Sequence, residues 1–163
     1  DGTENPQGLH RRSVALVKAE DDHEFAGGSY LHTQCYQHNL SLWDSLSERE
    51  QEDVYGRSKF DNVEYHVNDK APTAHTKRTS LKDEDGNNIE IVRQSMPYGD
   101  MKRKGLFFVS YCHSPQPFAA MLKSMVHGDE QGNHDHLLKY TQAETGSAFF
   151  APSLTFLARL KDS

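Results

Sequence analysis

Two cysteines in 163 residues cannot make a disulfide framework, and Cys35 and Cys112 read as buried free thiols rather than as a bridge. No apolar run approaches the ~20 residues that a membrane-spanning helix needs. Positive charge is in deficit: 18 Lys and Arg stand against 24 Asp and Glu, a formal net charge of −6. Phosphate backbones demand a basic surface, so nucleic acid is a poor partner for this chain. No phosphate loop, dinucleotide fingerprint or G-x-S-x-G elbow occurs. What these absences leave is one domain-sized chain with a single core.

Residues 1–13 read as a polar loop, and 14–17 as a short apolar strand end or buried loop. From Ser29 to His38 a strand is expected, with Tyr30, His32, Gln34, Tyr36 and His38 on one face and Leu31, Thr33, Cys35 and Gln37 on the other. Helical spacing follows through Leu42, Trp43 and Leu46. Ser47 and Glu50 form a capping box for a second helix that Gly56 ends. Residues 57–74 are an irregular polar loop of the length that usually serves function. The stretch HTKRTSLKDEDGNNIEIVR, residues 75–93, reads as a histidine, a tight reversal at the Asp-Gly-Asn turn, and an alternating strand closed by Arg93. A histidine and an arginine at the two ends of that stretch could face one ligand from two sides.

Residues 105–113 make a further strand. A helix with proline in its first turn then buries Phe118, Met121, Leu122 and Met125 and stops at Gly128. Residues 146–150 make a last short strand, and Pro152 and Ser153 open a terminal helix. The order is the split β-α-β-β-α-β motif, so the expected fold class is α+β: a ferredoxin-like antiparallel sheet with helices packed on one face. Two metal patterns are weak. In His32-x-x-Cys35-x-x-His38 a strand points the cysteine away from both histidines. His134-x-His136 offers two ligands only.

The segments APTAH (ending at His75), DEDGNNIEIVRQSMPYG, GNHDHLL and TGSAFFAPS occur in the same order as in the dye-decolourising peroxidases, and the chain resembles the bacterial B-type branch of that haem family. DGTENP at the start is similar to the end of the family's GxxDG motif. The resemblance implies two ferredoxin-like halves, of which this chain matches the C-terminal one: residues 1–26 as the distal-motif loop and inter-domain connection, and 27–163 as the haem-binding domain. It implies haem b as cofactor, with His75 as axial ligand and metal-binding residue. Asp135 would accept a hydrogen bond from that ligand's other ring nitrogen. Arg93 matches the distal arginine, a catalytic residue that also contacts the cofactor. Asp1 matches the distal aspartate that moves a proton between the peroxide oxygens. Ser95 stands where some B-type members carry asparagine, and offers fewer hydrogen bonds.

Phe107, Phe108, Met121, Leu122, Met125, Phe149 and Phe150 are candidates to line the haem, with Phe108, Met121 and Phe150 foremost. Each position also has a plainer account. His75 is one of ten histidines, Asp135 a helix N-cap, Arg93 a partner for a surface acid such as Glu90, and the Met and Phe stripe ordinary core. The implied activity is reduction of hydrogen peroxide with one-electron oxidation of an organic reductant, a dye or phenol. A haem-handling protein with little turnover and a non-catalytic ferredoxin-like module are the alternatives. A cytoplasmic location and homo-oligomers are further implications of the resemblance.

Overall fold

The computed structural model describes residues 9–161. In chain order the elements are α1 (Leu9–Ala15), β1 (Ser29–His38), α2 (Leu40–Asp44), α3 (Glu48–Tyr55), α4 (His75–Thr79), β2 (Val92–Arg93), β3 (Met96–Gly99) and β4 (Lys104–Cys112). After them come α5 (Gln116–His127), a 3-10 turn (His136–Lys139), β5 (Thr141–Ala151) and α6 (Leu154–Lys161). The sheet runs β2-β4-β1-β5 and every pairing is antiparallel. β3 also pairs with β4, so β2 and β3 are two pieces of one edge strand. At the break, Gln94 N–H donates to Val109 O, and Ser95 Oγ accepts from the backbone N–H of Val109 at 3.3 Å. The two halves of the split motif thus place β1 and β4 side by side at the centre, which is the ferredoxin-like arrangement.

Local chemistry accounts for most boundaries. Asn39 caps α2 through Leu42 N–H, and the Ser47–Glu50 capping box opens α3. Gly56 closes α3 in the left-handed conformation at φ 80°. A Cβ there would sit 2.3 Å from Thr76 Oγ1, so the glycine also lets α3 approach α4. β1 keeps its predicted alternation, with a register shift against β5 between Cys35 and Tyr36.

Four expectations are corrected. The polar start of the chain contains α1 rather than only loop. Its end is held by tertiary bonds, His113 N–H to Val14 O and Val17 N–H to Gly28 O. The strand expected up to Arg93 joins the sheet only at Val92, because residues 81–89 close a hairpin of their own: Lys82 bridges Asn88 and Ile89 N–H donates to Leu81 O. His75 opens the short helix α4 instead of standing in a loop. β5 is eleven residues long rather than the five of 146–150. Its first half is polar and exposed on a sheet edge, where no apolar pattern marks it. The faces of the sheet differ sharply. α5 packs over the inner face, where Met121 is buried, while Phe107, Phe149 and Met96 on the outer face stay exposed.

Candidate functional site

α4 holds His75 at its first turn. Ala74 precedes it as a fully buried N-cap with no side-chain bond, and Thr79 Oγ1 donates back to His75 O. The imidazole Nδ1 lies 2.6 Å from Asp135 Oδ2, and Asp135 is 0% exposed. The other carboxylate oxygen, Oδ1, accepts from Leu137 N–H at 2.9 Å as the N-cap of the 3-10 turn. The cap and the bond to His75 therefore coexist: one oxygen caps, the other takes the histidine. A carboxylate only accepts, so the proton of this pair sits on Nδ1 and leaves Nε2 as the free ring nitrogen.

His75 borders two adjoining cavities. The first, about 380 Å³, runs between the sheet and the helices, lined by Phe108, Phe118, Met121, Leu122, Met125 and Leu138 together with polar groups of β1. The second, about 780 Å³, is more polar and includes Arg11, Arg57, Asn62 and Asn88. His75, Tyr55, Arg93 and Met121 line both. Arg93 is exposed at this shared rim, and no ion pair of Arg93 occurs among the described residues. Ser95 lines the first cavity while its oxygen is engaged at the strand break.

The sequence-predicted residues His75, Asp135, Arg93, Ser95, Phe108 and Met121 thus converge, Asp135 through its bond to His75. Phe150 does not join them. It packs edge-on against Phe25 (5.3 Å) and Tyr30 (5.1 Å), beyond the cavity. Phe107 and Phe149 lie on the outer face, opposite Cys35 and Leu31, because residues one position off the inward set point the other way. Asp1 lies outside the described residues. His32 and Cys35 occupy opposite faces, with Cys35 Sγ donating to Tyr98 Oη, so that trio does not gather around a metal.

Sequence reasoning missed the polar floor and the aromatic wall. His32, Gln34, Tyr36 and His38 all reach the first cavity from β1. Their shared face was legible, but a Tyr-His-Gln-Tyr-His row looks like a solvent face. Tyr36 Oη donates to Gln34 Oε1, His38 Nδ1 meets Thr141 Oγ1 at 2.8 Å, and His32 stacks on Phe118. Trp43, Tyr55 and Tyr140 close the end near His75, the Tyr55 ring standing edge-on to the imidazole at 6.1 Å. Burial, and then the charge of Asp135, raise the Tyr36 and Tyr55 phenols above their ordinary value, so both stay protonated hydrogen-bond donors.

Burial lowers His32 and His38; His136 is lowered by burial and by Lys139 and His134. An unfolded histidine takes its proton near pH ~6.5, the folded ones only at lower pH. Below that point the unfolded chain binds more protons than the folded one. Stability is therefore full above pH ~6.5 and declines as pH falls toward ~5, above the range where carboxylates titrate. Urea midpoints measured across that window should fall, and His32→Gln/His38→Gln should flatten the slope in part. A wild-type slope in the double variant would contradict this.

The comparisons with known proteins match the sequence and the fold of this chain. The family model described as "Dyp-type peroxidase, C-terminal" matches residues 1–156. A dye-decolorizing peroxidase of Mycolicibacterium paratuberculosis is 40% identical over 159 residues, covering 96% of this chain and 45% of its own length. A crystal structure of a dyp-type peroxidase protein from Shewanella oneidensis superposes at TM-score 0.91 with 60% identity, over 98% of this chain and 52% of that one. A variant of DypB from Rhodococcus jostii in complex with heme gives TM-score 0.87 and 38% identity, over 94% of this chain and 50% of that one. The chain spans about half the length of the relatives it matches. On this match of sequence and fold, the chain belongs to the Dyp-type peroxidase family, as its C-terminal part.

Proposed function

We propose that the chain is the haem-bearing half of a peroxidase that reduces hydrogen peroxide and oxidises dyes or phenolic substrates by one-electron steps. The observation that carries this is the His75–Asp135 pair, 2.6 Å apart with the carboxylate fully buried, at the mouth of an apolar cavity. The donor set fits haem b. Nε2 of His75 is the nitrogen left free for iron, and Phe108, Met121, Leu122 and Met125 supply the apolar walls a porphyrin requires. The polar second cavity, where Arg11, Arg57 and Arg93 stand among lining residues that also include Glu64 and Glu90, offers guanidinium groups to the carboxylates of such a ligand. When bound, haem supplies an iron that accepts oxidising equivalents from peroxide and hands them to organic donors.

The chain's own residues set the conditions. Asp135 fixes the tautomer and orientation of His75 and makes Nε2 a stronger donor. Arg93 presents a permanent cation at the shared rim and stabilises negative charge as the peroxide O–O bond breaks. A guanidinium does not give up its proton at working pH. Transfer between the two peroxide oxygens therefore needs another group, and Asp1 is the candidate for it. Ser95, shorter than an amide and engaged with Val109 N–H, offers the first cavity fewer donors than an amide would.

Residues 27–163 are read as the haem-binding domain and 1–26 as the connection to the rest of the protein. The half-length match to relatives supports a second half of the protein, while Val14, Val17 and Phe25 tie the connection itself to this domain. No helix among the described residues is long and apolar enough to cross a membrane; a cytoplasmic location remains part of the proposal. The test is an absorption titration of the full-length protein with haem, followed by peroxide-dependent dye oxidation. A saturable Soret band together with turnover is expected. Absence of the band overturns the proposal, and a band without turnover makes the protein a haem handler instead.

A further inference from the structure

Arg78 stands one helical turn after His75 on α4 and is only 9% exposed. Its Nη1 donates to Asp129 Oδ2 at 3.1 Å and to Asn133 O at 3.0 Å. Asp129 organises the loop after α5. Its Oδ1 accepts from the N–H groups of Gln131 and Asn133, and Asn133 Nδ2 reaches both carboxylate oxygens. The loop is tightly shaped. Gly128 takes φ +76°, and a Cβ there would come within 2.4 Å of Asn133 O. Two residues past Asn133 the same loop delivers Asp135, whose N–H donates to Met125 O at the end of α5.

α4 is therefore joined to this loop twice, once by His75 to Asp135 and once by Arg78 to Asp129 and Asn133. We propose that Arg78 is a positioning residue for the axial ligand: by clamping the 129–133 loop to the helix that carries His75, it sets the alignment of the Asp135 carboxylate on His75 Nδ1. A hydrogen bond of 2.6 Å between two side chains on separate segments weakens steeply with angle. α4 has five residues and no side-chain cap of its own, so it does not hold His75 rigidly unaided. Arg78 Nη1 bonds a carboxylate and a backbone carbonyl at once, so one terminal nitrogen fixes the loop in two directions. The consequence falls on the ligand's basicity, because the carboxylate polarises the ring only when it is aligned with Nδ1–H.

This inference rests on the haem reading of the site. Its test uses the full-length protein loaded with haem and reads the ferrous iron–histidine stretching frequency by resonance Raman, with the Fe(III)/Fe(II) potential beside it. Asp135→Asn, which removes the acceptor, is the reference and should lower the frequency and raise the potential. Arg78→Met should move both in the same direction by a smaller amount and weaken haem retention about 10-fold; Arg78→Lys should recover part of the shift. Should Arg78→Met fail to fold, Asp129→Asn removes the carboxylate half of the clamp and leaves the bond to Asn133 O, and a smaller shift in the same direction is expected from it. If Asp135→Asn shifts the signals and the clamp variants keep the wild-type values, Arg78 only braces the fold and the inference is overturned. If Asp135→Asn shifts neither signal, the haem reading itself has failed.

Discussion

His75→Gly in the full-length protein is expected to lose the Soret band that wild type shows on haem addition, and added imidazole should restore it. His75 lines both cavities, and its Nε2 is the nitrogen left free once Nδ1 is committed to Asp135. Removing it has a second effect. Asp135 is fully buried, and Oδ2 has no other partner among the described residues. A buried acceptor stripped of its bond costs about 1–3 kcal/mol, and more when it is charged. Chemical denaturation should therefore show a less stable protein in the absence of imidazole. His75→Gln separates the two effects, because its amide N–H can still donate toward Asp135 while offering iron a poor ligand. Stability close to wild type with no Soret band is the expected result for that variant. Haem bound with an unchanged spectrum in His75→Gly would remove the axial ligand from the proposal.

The two central strands were legible because they carry their own signals. The alternation along β1, the aromatic and β-branched run of β4 and the Ser47–Glu50 capping box all appear where the residues predict them. α4 was not legible. HTKRT has no apolar period, no capping side chain and only five residues. Thr76 and Arg78 are buried by what surrounds them, through Gly56 and the Asp129 loop, and those contacts come from 20 and 51 positions away in the chain. Helix propensity is too weak to announce such a turn. The same distance hides the pairing of His75 with Asp135, which lie 60 positions apart. Resemblance to a family brought the two residues together on paper, whereas local pattern alone left one as a loop histidine and the other as a cap. Phe150 fails for a simpler reason. Its side chain faces inward like Tyr30, but at the end of the sheet where Phe25 and Phe156 already fill the space. Facing the core side of a strand is necessary for lining the cavity, and position along the strand decides the rest.

Arg93→Leu is expected to keep its haem and its fold while kcat/KM for hydrogen peroxide falls about 10²–10³-fold, the usual loss when one preorganised charge-stabilising donor is removed. Arg93 is exposed, forms no ion pair among the described residues, and sits on a two-residue strand against Ser110, so the folded state depends on it little. Its position is what matters: it is shared by both cavities together with His75, so a charge lost here is lost where peroxide oxygen would become negative. The loss should appear in the peroxide step rather than in the KM for dye, since the role proposed for this guanidinium is charge stabilisation on peroxide oxygen. Arg93→Lys should recover a small part, having the charge but a shorter reach and no planar fork. Stopped-flow mixing of the haem-loaded variant with peroxide measures the step directly. A wild-type rate in Arg93→Leu would assign O–O cleavage to other groups and leave Arg93 as a rim contact for ligand carboxylates alone.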